Sequence, residues 1–116
     1  MTLRETIAIA KKYLKDNKLD DSDVIRYITD VDLFVALNIM GKQEFKGYTI
    51  DDTNKEVLIP QPYVEAYAYY IQGKEAYLLQ EYDFYNSAMA LYNDLITKYG
   101  QYYSSTHTTP DIRFHY

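Results

Sequence analysis

Ser104, Ser105 and His107 bring hydroxyl nucleophiles and a base together near the end of this chain, and His115 adds a second imidazole. Nucleophilic catalysis needs the hydroxyl in hydrogen-bond reach of the base, and the base held by a third group. Nothing in the flanking sequence supplies that rigidity, so the likeness is one of composition. As metal ligands the two histidines lack a third strong donor. The acidic run "DDTNKE" at 51–56 resembles a calcium loop in its carboxylates. It lacks the glycine at the sixth position and the distant bidentate glutamate, and it reads as a solvated turn. The four glycines, at 41, 47, 73 and 100, are scattered and build no phosphate-binding loop. No catalytic, cofactor-binding or metal-ligating set emerges, so the residues predict no enzyme and no cofactor.

What the chain does have is tyrosine. It holds 15, against 4 phenylalanines and no tryptophan or cysteine. A tyrosine ring is apolar with a wet tip, which suits surfaces buried only on association. The missing cysteines exclude disulfides and thiolate chemistry. A net charge of −5 argues against a dedicated nucleic-acid binder, which needs clustered lysine and arginine. No apolar run is long enough for a membrane helix, and "MTLRETIAIAKKYLKD" lacks the core of a signal peptide. The expectation is one small soluble domain, made and used inside a cell.

The elements follow from spacing. Thr2 and Glu5 form a capping box for a first helix with Leu3, Ile7, Ala10 and Leu14 on its apolar side. Lys11, Lys12 and Lys15 suit the C-terminal end of its dipole. After the acidic break "DNKLDDSD", Val24, Ile28, Val31, Val35 and Ile39 mark a second helix ended by Gly41. Asp23, Asp30 and Asp32 fall off that stripe or on its edge. The runs Phe45–Ile50 and Val57–Ile59 around "DDTN" predict a short β-hairpin or an irregular loop. Pro62 suits the first turn of a third helix over 63–80. There Tyr63, Tyr67, Tyr70, Lys74 and Tyr77 share one side, and Val64, Ala68, Ile71 and Leu78 form a second apolar side.

A fourth helix is expected over 83–103. Tyr85, Tyr92 and Tyr99 repeat at heptad spacing, with Ala88, Met89, Leu95, Ile96, Tyr102 and Tyr103 beside them. That face is expected to pack on helix three in an antiparallel hairpin. From Ser104 onward, "SSTHTTPDIRFHY" reads as an extended tail whose terminal rings suggest a docking strand. The predicted fold is mainly α: a bundle of about four helices over 1–107, a short hairpin or loop insertion, and a C-terminal tail over 108–116.

The stretch from Leu58 onward resembles the head–tail connector (adaptor) proteins of tailed bacteriophages and prophages. The matching features are "LIPQPY" at 58–63, Glu-Tyr-Asp at 81–83, "YNSAMALYN" at 85–93, and the pair Tyr102–Tyr103 followed by Thr106–His107. "DVIRYITDVDLFV" at 23–35 is similar to an Ile-Arg-aromatic-Ile segment of that family. The resemblance implies a structural virion protein in the neck, assembled in the host bacterial cytoplasm. Its subunits would form a ring, commonly dodecameric, with DNA passing through the lumen without specific binding. Its partners would be other copies, the portal and the next neck, stopper or tail protein. It implies that the tail residues Ile112, Arg113, Phe114, His115 and Tyr116 reach the portal. The competing readings are a small non-enzymatic helical interaction or regulatory protein, and an enzyme needing a polar cleft that the spacing does not provide.

Overall fold

Four helices and two single turns make up the computed structural model, which describes residues 1–16 and 18–107. The tail residues Ile112, Arg113, Phe114, His115 and Tyr116 lie outside the described residues. Helix α1 (Leu3–Lys12) starts in a reciprocal capping box: the Glu5 amide donates to Thr2 Oγ1, and the Thr2 amide donates to Glu5 Oε1. Helix α2 (Asp21–Phe34) starts in the same way, from Asp20 and Asp23. It runs on into a π-helical turn, Val35–Ile39. Gly41, at φ +67°, then closes the helix while the Lys42 amide bonds back to the Ala36 carbonyl at 2.7 Å.

Helices α3 (Glu65–Leu78) and α4 (Tyr82–His107) are joined by three residues, with Gln80 at φ +60°. The ring contacts give their register. Tyr63 meets Tyr99, Tyr70 meets Tyr92, and Tyr77 meets Tyr85, at centroid separations of 5.6, 5.0 and 5.4 Å. The numbers rise by seven from Tyr63 along α3 as they fall by seven on α4, so the pair is antiparallel with a heptad seam. Gly73 faces Met89 on the same seam: a Cβ there would lie 2.9 Å from the Met89 sulfur. The two helices approach that closely because one residue has no side chain.

Helices α1 and α2 pack on α3 and complete the core. Leu3, Val24, Ile28, Val35, Ile59, Tyr67 and Ile71 are all fully buried. In α4, Tyr92, Ile96 and Tyr99 are buried, while Tyr85, Met89 and Leu95 are half-buried.

Of the two readings of the middle segment the structure has the loop: among the described residues there is no strand, and 45–59 is irregular, with a 3₁₀ turn at Ile50–Asp52 and a single bridge between Thr2 and Glu56. Its later part is tied to the start of the chain: the Leu3 and Arg4 amides donate to the Lys55 and Thr53 carbonyls, and the Val57 amide donates to the Met1 carbonyl. Helix α3 begins at Glu65, later than expected, because the Tyr63, Ala66 and Tyr67 amides bond to carbonyls three residues back, in turns. Leu78 is 58% exposed, although it continues the second apolar side of α3. Helix α4 continues four residues past Tyr103, where an extended tail was expected. The Ser105 and Thr106 hydroxyls donate back to the Tyr102 carbonyl, so these polar residues stay within the helix.

Gly73→Leu is expected to lower stability by about 1–3 kcal/mol through overpacking of the seam. Adding Met89→Ala should recover more than half of that loss in urea denaturation. Tyr92→Ala should cost about 3–5 kcal/mol, whereas exposed Leu91→Ala should stay within about 0.5 kcal/mol.

Candidate functional site

Asp32 was expected at the edge of the α2 stripe; it is completely buried. Its position one turn after Ile28 and beside Val31 points it inward, and the rest of the fold supplies donors. The Tyr67 hydroxyl of α3 donates to Oδ1 at 2.5 Å, and the Leu58 amide donates to Oδ2 at 3.1 Å. The Tyr48 hydroxyl also donates to Oδ2. Tyr67 in turn accepts the Ile59 amide at 2.9 Å. One carboxylate thus ties α2, α3, the loop and the chain entering α3. Burial lifts the Asp32 carboxyl to about 6, against the opposing pull of its Tyr48, Tyr67 and Leu58 bonds. The same burial, and the facing carboxylate, hold the Tyr48 and Tyr67 hydroxyls protonated well above their usual range.

A second buried carboxylate, Glu75 of α3, works in a similar way. It accepts the backbone amides of Lys15 at 2.7 Å, Asp16 at 3.3 Å and Lys18 at 3.4 Å. The turn between α1 and α2 therefore finds its partners on a third element. Neither acid stood out in sequence. The available signal was an acidic residue set among apolar positions at helical spacing, a pattern that a solvated face shares.

The residues first considered for chemistry are spent on local structure. The His107 ring stacks on Tyr103, with centroids 3.8 Å apart, and its Nδ1 lies 2.8 Å from Thr106 Oγ1. The Ser105 hydroxyl is engaged with the Tyr102 carbonyl at 2.9 Å. Asp52 caps the 3₁₀ turn through the Thr49 amide and pairs with Lys55 at 3.1 Å. Lys11 pairs with Asp21, and Lys15 with Glu81. Among the described residues no group of three histidine or acidic side chains is placed to hold a metal. Among them, too, no helix is long and apolar enough to cross a membrane.

What the surface offers is apolar area in two places. At the hairpin tip, Tyr77, Leu78, Tyr82 and Phe84 are each more than half exposed, with the Tyr77 and Tyr82 rings 5.7 Å apart. Phe34 and Leu37 are exposed at the other end of the bundle, where α2 runs into its π-turn. Ile39 of that turn packs beside Gly100, roughly 27 Å along α4 from Tyr82 at 1.5 Å per residue. Comparison with family models, curated proteins and solved structures finds no match to the chain.

Asp32 sets a pH dependence of unusual sign. Its native pKa lies above the unfolded value, so the native chain holds a proton there that the unfolded chain has released between about pH 4 and 6. That contribution is complete below the unfolded pKa and is lost as pH rises through about 6. The urea midpoint should therefore fall between pH 5 and 7.5 in the wild type, and fall less in Asp32→Asn. Tyr67→Phe strands both Asp32 and the Ile59 amide, and should cost about 1–3 kcal/mol more than Tyr48→Phe.

Proposed function

We propose that this chain is a structural subunit of a head–tail connector, the adaptor ring between the portal and the next neck or tail protein of a tailed phage or prophage. The observation that carries the reading is the pair of unlike apolar surfaces toward opposite ends of α4, Tyr77–Leu78–Tyr82–Phe84 and Phe34–Leu37. Two different patches on one molecule suit a heterologous, head-to-tail contact, and such contacts close into rings when the rotation between copies permits. The resemblance over 58–107 supports the same reading. So does the net charge of −5, since an acidic lumen lets DNA slide without trapping it.

In this reading one side of the tyrosine-rich hairpin builds the subunit and the remaining rings meet neighbours. The tail residues 112–116 dock on the portal. No reaction is performed. The chain resides in the virion neck after assembly in the host cytoplasm.

Sedimentation of the purified protein, alone and with its candidate portal, tests this. The expected result is a ring-sized species, formed alone or on the portal, and its loss in a Tyr77→Ser/Phe84→Ser variant that keeps its helical circular dichroism. Removal of 108–116 should leave a folded subunit that no longer binds portal. A monomer that ignores the portal at every concentration would overturn the connector reading and leave a small helical interaction protein. Normal portal binding by the truncated chain would overturn the tail assignment alone.

A further inference from the structure

The loop between α2 and α3 is held to the bundle unevenly. From residue 37 to residue 56 every side chain is exposed or half-buried, whereas the core residues on either side, Val35, Ala36 and Val57, are buried. The later part, 53–57, is pinned by backbone hydrogen bonds to the first residues of α1. The earlier part, 42–52, has a different and sparser attachment. The Tyr48 amide donates to Thr29 Oγ1 at 3.1 Å, Gly47 sits against the Thr29 methyl, and the Tyr48 hydroxyl reaches Asp32. Its other contacts are largely internal: the Phe45 and Tyr48 rings are 5.0 Å apart, and the 3₁₀ turn is capped by its own Thr49 and Asp52. At its start stands Gly41, in the left-handed region. A segment with little buried area and an internally satisfied turn opens at low local free energy.

We propose that residues 42–52 form a strap that lifts from α2 as a unit while the helical bundle stays folded, with Asp32 as its latch and opening favoured when that carboxylate is ionised. The reason is solvation. With the strap closed, the Tyr48 ring and hydroxyl cover Asp32 and the charge has no water; lifting Tyr48 lets water reach Oδ2. Only the closed state carries the desolvated carboxylate, so proton binding favours closure and proton loss favours opening.

The groups around Asp32 do not confuse the titration. They are Tyr48 from the strap, Tyr67 from α3, and Tyr92 and Tyr99 from α4, all with hydroxyl pKa values raised from the ordinary one. All four stay neutral between pH 5 and 7.5. Asp52, which acts on Tyr48 from the strap itself, is held below its ordinary value by the Thr49 bond and stays ionised. Across that range Asp32 alone in this group changes charge. Taking its closed pKa as about 6 and its open value as the ordinary 3.8, the opening equilibrium should rise about tenfold from pH 5 to pH 7.5.

Amide hydrogen exchange on the full chain tests this, read as protection factors so that the intrinsic pH dependence of exchange is removed. The Tyr48 amide and its neighbours in 42–52 should lose about tenfold in protection between pH 5 and 7.5, with no matching loss in α3 and α4. Tyr48→Phe should lower protection across the strap and leave α3 and α4 protected. Asp32→Asn should abolish the pH step. If that variant does not fold, the Asp32 carboxyl carbon followed by NMR in the wild type replaces it, and its titration should coincide with the strap's change in protection. Strap amides that exchange only through unfolding of α3 and α4, or a pH step that persists in Asp32→Asn or runs apart from the Asp32 titration, would overturn the proposal.

Discussion

A carboxylate sealed away from water organises this small bundle. Placing a charge at zero exposure is unfavourable unless its lone pairs are filled, and Asp32 receives two hydroxyls and one backbone amide from three separate segments. Because each donor has to arrive at the right depth and angle, the interaction selects one arrangement of loop, α2 and α3 more sharply than apolar packing alone would. Glu75 plays the corresponding part for the turn after α1, where three amides converge on one side chain. Both acids replace the strand pairing and loop packing that a larger domain would use to satisfy its irregular backbone.

The tyrosines divide along the same logic. Tyr67 and Tyr48 are used for their hydroxyls, inside or at the margin of the core, where a phenylalanine would leave a polar partner stranded. Tyr92 and Tyr99 are used for their rings, in the heptad seam between α3 and α4. Tyr77 ends the seam against Tyr85, and at the hairpin tip both it and Tyr82 keep more than half of their area in solvent. One residue type thus serves core, polar network and surface. That is how so tyrosine-rich a chain folds as a modest bundle and still leaves aromatic area in solvent.

Much of the architecture was legible in the chain. The Thr2–Glu5 capping box, the Val24–Ile28–Val31–Val35 stripe, the Gly41 stop and the Tyr85–Tyr92–Tyr99 heptad are local signals, and local signals survive folding. The less legible parts were so for different reasons. Ser104–His107 look non-helical by composition, yet a side chain that bonds to its own helix carbonyls is compatible with the last turn. Residues 45–59 are β-prone by composition, which left hairpin and loop both open; the partners that tie 53–57 lie at the start of the chain, far away in sequence. Leu78 follows the apolar period of α3 and is exposed all the same, because the period does not say where along the helix a neighbour covers it.

Sequence alone determined four helices, their order and the antiparallel pairing of the last two, because capping, periodicity and a short connection act over a few residues. Tertiary structure decided which acids are buried, which tyrosines face inward and where the loop is tied. The periodicity of a helix says which residues share a face, but whether that face meets solvent or another element depends on segments dozens of residues away. A buried Asp32 and an exposed one are written with the same letter; only the convergence of Tyr48, Leu58 and Tyr67 on it makes the difference.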